Sequence, residues 1–288
     1  MPRSPNLPSP VLHRALLFAL AAGCALPALA QNDKFTLPID RPATGNANQA
    51  DGARILADFQ RGGIAGDYWL SFELRVLPRK GPERSVTGTL FGARGPSGPL
   101  SRLTIPGERW LIESGPQPSA WLAAGGAAPH QLAAGEAGLA VAGTDVTVFE
   151  LQMPFLYWTD FTYEGLAQMR SRPTHSFVLR PPAGQPSPVA GLTGVRVFLD
   201  SEFRALVQAE ELGAGGVVEK SITLLDIKKV GEQYLMKAID VRNHRTRDKT
   251  RFAITGAALG LELPLATFSP ENLTAEAPAV PPEKIVRF

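Results

Sequence analysis

Cysteine is almost missing from this chain: its one cysteine in 288 residues is Cys24, inside an apolar stretch near the N-terminus. A lone thiol excludes an internal disulfide framework and a cysteine-only metal cage. Histidine is also scarce, with His13, His130, His175 and His244 far apart. The chain has no His-Glu-x-x-His pair, no Gly-x-Ser-x-Gly elbow and no glycine-rich phosphate loop ending in Lys-Ser or Lys-Thr. No catalytic residue, metal site or cofactor is therefore expected. Beyond residue 30 no apolar run reaches the roughly 18 residues of a spanning helix. An excess of one charge is lacking too. The formal charge of +2 rests on Arg3 and Arg14, and without residues 1–30 the chain has 27 basic and 27 acidic residues. A neutral chain has no field to hold a polyanion, so nucleic acid is excluded as a partner.

What is present begins with those first thirty residues. Arg3 and Arg14 precede the apolar run "ALLFALAAGCALPALA", and the small-x-small triplet Ala28, Leu29, Ala30 lies before Gln31. This is the pattern of an export signal cleaved after Ala30, which places the mature protein in a bacterial periplasm. The alternative is a lipid anchor at Cys24 of "LAAGC", although Ala21 stands where such signals carry a larger aliphatic residue. Residues 31–48 read as a flexible polar leader. "ANQADGARILADFQRG" follows with Ile55, Leu56 and Phe59 on one helical stripe, bounded by Asn/Asp and by Gly62 and Gly63.

From Asp67 the period changes. "YWLSFELRVL", "SVTGTLFGA", "LSRLTIP", "RWLIES" and "AWLAA" are short β-type runs separated by Gly, Pro and charged residues. After a Pro-rich connection at 180–188, "GVRVFLDS", "RALVQAEEL", "VVEKSITLLDIKKV", "EQYLMKAIDVRN" and "KTRFAITGAAL" continue at hairpin spacing, with Val195, Val197 and Leu199 on one face. Connections this short make an antiparallel meander. The expected class is mainly β with a few helices (α+β), in a chain expected to be monomeric. The Ala/Gly-rich stretch 124–144 reads as a mobile loop and residues 276–288 as an extended tail. Phe288 raises an outer-membrane barrel, but charges and turns interrupt the strands where lipid would lie.

The densest apolar segment is "FELQMPFLYWTDFTYEGL", from Phe149 to Leu166. It is too short to span a membrane and holds Glu150 and Pro154, so it is core or pocket. Pro154 divides it, with Phe149, Leu151 and Met153 alternating before it and Phe155 to Trp158 turning after it. Glu150, Asp160 and Glu164 read as acids that cap a turn and solvate one side of the segment. His175 reads as a histidine bonded to backbone or solvent, and "RNHRTRDKT" at 242–250 as a solvated turn rather than an anion-binding patch.

Four pieces resemble the outer membrane lipoprotein-sorting, LolA-like, family: "TDFTYEGL", "VRVFLDSEFRALVQAEEL", "GEQYLMKAIDVRNHRTRDKTRFAI" and "ATFSPENL". The resemblance covers residues 49–275 as one domain. It implies a curved antiparallel sheet, an unclosed half-barrel covered by helices and loops, that carries acyl chains of lipid or lipoprotein. Under it Phe149, Leu151, Met153, Phe155, Leu156, Trp158, Phe161 and Tyr163 become candidates for the lining or lid of an apolar cavity. An envelope adaptor using the same sheet to bind a protein, and an enzyme acting on lipid or cell wall, are the alternatives.

Overall fold

The structure is a computed structural model that describes residues 41–44, 47–184, 187–203 and 205–288. The export signal, Cys24 and residues 31–40 of the leader lie outside the described residues. The N-terminal half runs β1 (Arg41–Thr44), α1 (Gln49–Arg61), β2 (Asp67–Leu77), β3 (Arg84–Arg94), β4 (Pro99–Ile105), β5 (Glu108–Glu113), β6 (Ser119–Ala124) and β7 (His130–Gln131). A short helix α2 (Val148–Gln152) leads to β8 (Asp160–Met169), β9 (Arg172–Arg180), β10 (Gly194–Asp200) and β11 (Leu206–Leu212). Then follow β12 (Val218–Val230), β13 (Gln233–Asn243), β14 (Lys249–Leu261) and β15 (Val286–Arg287).

These strands form one antiparallel sheet in the order β1-β8-β9-β10-β11-β12-β13-β14-β2-β3-β4-β5-β6-β7. Each half of the chain is a meander, and the halves are joined where β14 pairs with β2, from Lys249 opposite Leu77 to Leu261 opposite Asp67. Strands β1 and β7 stand at opposite ends, so the sheet is not closed.

The sheet is strongly curled. Glu150 and Gln152, two residues apart on α2, bond to Lys220 on β12 and to the Ser119 carbonyl on β6. In a flat sheet those strands would lie roughly 34 Å apart at about 4.8 Å per strand, too far for one helical turn to bridge. Register shifts at Tyr163/Gly165, Phe198/Leu199 and Ile254/Gly256 supply local bends. The inner face gathers Phe72, Leu74, Leu103, Trp110, Phe177, Leu179, Val195, Val197, Ile222 and Val241 into one buried cluster.

Helix α1 forms where its sequence signature lies. The Asn48 side chain accepts from the Ala50 N–H at its start, and Leu56 is buried with Ile55 and Phe59 packed on the core. It docks on β8 through Gly52, where an added Cβ would stand 2.5 Å from Tyr163 Cβ. Gln49 completes the joint, donating to the Tyr163 carbonyl at 2.9 Å and accepting from its N–H at 2.8 Å. Gly52→Ala is expected to lose about 1–3 kcal/mol by overpacking in spite of its better helix propensity. Urea unfolding checks this, and a variant as stable as the parent contradicts the close docking.

Several local expectations are corrected. Phe149, Leu151 and Met153 do not alternate along a strand, because Val148–Gln152 is helical and Met153 ends the helix in the left-handed region at φ 46°. Pro154 opens a 3-10 turn over Pro154–Tyr157, as its fixed φ and missing N–H allow at a helix start. The stretch 124–144 is not simply a loop, for it delivers the fully buried Val141 to the core. At the C-terminus, Val286–Arg287 pairs with β14, and the Phe288 N–H donates to the Thr255 carbonyl.

Candidate functional site

The concave face is filled by residues 133–158, a self-contained plug. Its backbone bonds close on one another: Val141 N–H to the Val146 carbonyl, Val148 to Leu139, Phe149 to Ala137 and Trp158 to Phe155. Its ties to the sheet run through side chains. Arg84 donates to the Ala142 and Gly143 carbonyls, Glu108 accepts from the Ala142 N–H, and Thr250 accepts from the Asp145 N–H. Gln60 of α1 donates to the Leu156 carbonyl.

Of the candidate lining residues, Phe149 and Phe155 are 0% exposed, and Leu156, Trp158 and Tyr163 are buried. Leu151, Met153 and Phe161 are half-buried against the same cluster. Phe149, Phe155 and Trp158 form one aromatic group, with ring centroids 5.6 to 6.4 Å apart. Phe161 and Tyr163 form a second with Phe177 of β9, at 6.1 and 4.9 Å. These residues therefore occupy the concavity in this structure.

The plug carries a charge into that core. Glu150 caps its own helix, accepting from the Thr147 N–H and hydroxyl, and this part of the sequence reading stands. The solvated acid does not. Glu150 is 3% exposed and paired with Lys220, whose ammonium also donates to the Asp145 carbonyl. Burial would raise Glu150, but the Lys220 ammonium and hydrogen bonds from Glu211, Lys220 and Thr147 hold it below the usual carboxylate range. Glu211, opposite Lys220 across the β11–β12 pair, is 5% exposed. Burial first, and then the Glu150 charge, push it up to about 9. At neutral pH it keeps its proton and donates to Glu150, while its Oε1 has no partner.

A pH dependence follows. Between about pH 4.5 and 9 native Glu211 holds a proton that the unfolded chain has released. Stability then falls as pH rises through that window, by up to about 1.4 kcal/mol per pH unit. Glu211→Gln is expected to flatten this slope, so urea unfolding from pH 5 to 8.5 gives curves that diverge upward in pH. Parallel curves contradict the protonated Glu211.

Lys220 and Glu211 escaped sequence reasoning, although one signal was available. Adjacent Glu210 and Glu211 in "LVQAEEL" cannot both face outward on a strand, so one had to point inward. Of the other acids, Asp160 is exposed, and Glu164 accepts from the Ser176 hydroxyl at 2.6 Å. His175 is half-buried, and its ring has a side-chain partner that the sequence reading did not name. Its Nδ1 lies 2.8 Å from the Tyr163 hydroxyl, and burial lowers its pKa, with Asp200 opposing. His175 also borders a polar cavity of about 420 Å³ beside α1, with Asp51, Arg54 and Asp58 on its other side. In the 242–250 turn Arg245 reaches Glu219 at 3.7 Å and is largely exposed. No group of three or more His, Cys, Asp or Glu able to hold a metal ion occurs among the described residues.

No family model matches the sequence, and no curated protein matches it. Solved structures match the fold. A DUF1329 family protein from Desulfovibrio piger superposes with a TM-score of 0.69 at 10% identity, over 78% of this chain and 98% of that one. An outer membrane lipoprotein-sorting protein domain from Vibrio parahaemolyticus gives 0.68 at 14% identity, over 77% and 97%. A LolA superfamily protein from Nitrosomonas europaea gives 0.56 at 12% identity, over 78% and 98%. The fold class is thus a mainly β, unclosed antiparallel half-barrel with a covered inner face. The particular fold is the LolA-like one that the four sequence pieces implied.

Proposed function

We propose that this chain is a non-enzymatic periplasmic carrier of acyl chains, of lipid or of lipoprotein, and that residues 133–158 are its displaceable cover. One observation carries the reading: the apolar inner face of a curled, open sheet is filled by a segment whose backbone bonds close within itself. Such a segment can leave without breaking a sheet ladder, and each buried CH₂ of an incoming chain regains about 0.8 kcal/mol of the apolar contact given up. Phe149, Leu151, Met153, Phe155, Leu156, Trp158, Phe161 and Tyr163 then act as cover and lining, Met153 adapting to chain shape. The mature domain begins after Ala30, with the compact part spanning residues 49–275 and the tail packed on β14. The fold shared with a lipoprotein-sorting domain supports this reading at the level of architecture.

The test is native mass spectrometry of mature protein purified without detergent, then solvent extraction and lipid analysis. Near-stoichiometric phospholipid or acylated peptide is expected. A clean apo mass that stays unchanged after incubation with lipids and acylated peptides overturns the carrier and leaves an envelope adaptor, with the aromatic segment as plain core.

A further inference from the structure

Lys220 is out of place on a floor for acyl chains. Around it the inner faces of β10 to β13 present Val195, Val197, Ala209, Ile222 and Val241, all 3% exposed or less. Burying an ion pair in such surroundings costs more than apolar packing, so its presence asks for a reason. Among the described residues the Lys220 ammonium has two hydrogen-bond partners, the Glu150 carboxylate and the Asp145 carbonyl, and both belong to the plug. When the plug leaves, the ammonium loses both. It lies near the rim, 14% exposed, with the barely exposed Glu211 opposite it and one Glu211 oxygen already unpartnered. The vacated floor would offer an ammonium and a carboxylic acid O–H at the rim, and apolar side chains beyond them.

Resting on the carrier reading, we propose that the Glu150 carboxylate occupies a head-group site, and that the cargo is an amphiphile with an anionic head, carboxylate or phosphate. Its oxygens replace those of Glu150 on Lys220 and Glu211, and its chain takes the space of Phe149 and Phe155. The plug is then an internal copy of its ligand: one acidic group beside a block of apolar ones, Val148, Phe149 and Phe155. An anion keeps Glu211 protonated as Glu150 does, so both donors are retained. A neutral head offers the ammonium an oxygen but no counter-charge, and the hydrogen bond to an anion is about twice as strong as one to a neutral oxygen.

The experiment uses the wild-type mature protein and four twelve-carbon probes below their micellar concentrations: dodecanoate, dodecyl phosphate, dodecanol and dodecyltrimethylammonium. Affinities are read by calorimetry or native mass spectrometry. Either anion is expected to bind at least about tenfold tighter than dodecanol, with the cation weakest. A dodecanoate preference assigns the site to free fatty acids, and a dodecyl phosphate preference to phosphate heads. In E150M/K220M, where no buried charge is left unpaired, the ratio of anion to dodecanol should fall to about one. Equal affinities for anions and dodecanol in the wild type overturn the head-group site and leave the carrier intact. Binding of none of the four overturns the carrier itself.

Discussion

Lys220→Met is expected to lower the unfolding free energy by about 3–5 kcal/mol, because it strands the Glu150 carboxylate in an apolar interior. Adding Glu150→Leu should return most of that loss, since a buried ion pair replaced by apolar groups is often neutral in cost. The cycle separates two explanations of the same contact. If the pair merely stabilised the fold, the double variant would be as damaged as the single one. If it is an isolated charge pair in a core that would otherwise pack well, the double variant recovers. The single-variant loss should also shrink in acid, where Glu150 can take up a proton and cease to be a charge. Urea unfolding of the parent, Lys220→Met, Glu150→Leu and the double variant at pH 5 and 7.5 measures this, and a loss below about 1 kcal/mol for Lys220→Met contradicts the buried pairing.

Phe155→Ala should cost about 3–5 kcal/mol, the usual effect of emptying a fully buried ring. Its location makes it informative beyond its size. The ring sits in the plug, between Phe149 and Trp158, and among the described residues the plug shares no backbone bonds with the sheet. Amide hydrogen exchange should therefore accelerate at residues 137–158 while the amides of β10 to β13 keep their protection. Local opening units of this kind exchange with their own free energy, below that of global unfolding. A uniform rise across sheet and plug would make the segment an inseparable part of the core. Phe155→Ser with Trp158→Ser is the harsher version, and it should reduce retention of any co-purifying lipid.

Much of the sheet was legible because its strands announce themselves locally. "YWLSFELRVL" and "EQYLMKAIDVRN" match β2 and β13 closely, each being a run bounded by turn residues. Helix α1 was legible for the same reason, with its cap, its stripe and its glycine stop. The plug was not. Val148–Gln152 is a five-residue helix, too short to hold by propensity, so it exists only in contact with the sheet. Glu150 was misread as solvated because its partner Lys220 is remote in sequence, on a strand whose inward register only the fold sets. The Tyr163 partner of His175 was missed for the same reason, since it lies on the neighbouring strand and the register is set by the fold. The aromatic density of 149–166 marks where the chain packs its rings, yet density alone does not distinguish a ring that lines a space from one that fills it.

The pairing of β14 with β2 has a consequence for how the chain reaches its fold. Strand β2 is made early and its partner is the last long strand, so Val76 must wait for Thr250. During synthesis the strands from β2 to β7 can zip together as they appear, but the outer edge of β2 stays open throughout. That edge carries Leu70, Phe72 and Leu74 on one face, a template for pairing with another chain. Non-local pairing of this kind is slow. A chain that stops short of Lys249 would leave one edge of β2 and one edge of β13 unpaired, and aggregation, rather than a smaller stable sheet, is the outcome that topology dictates.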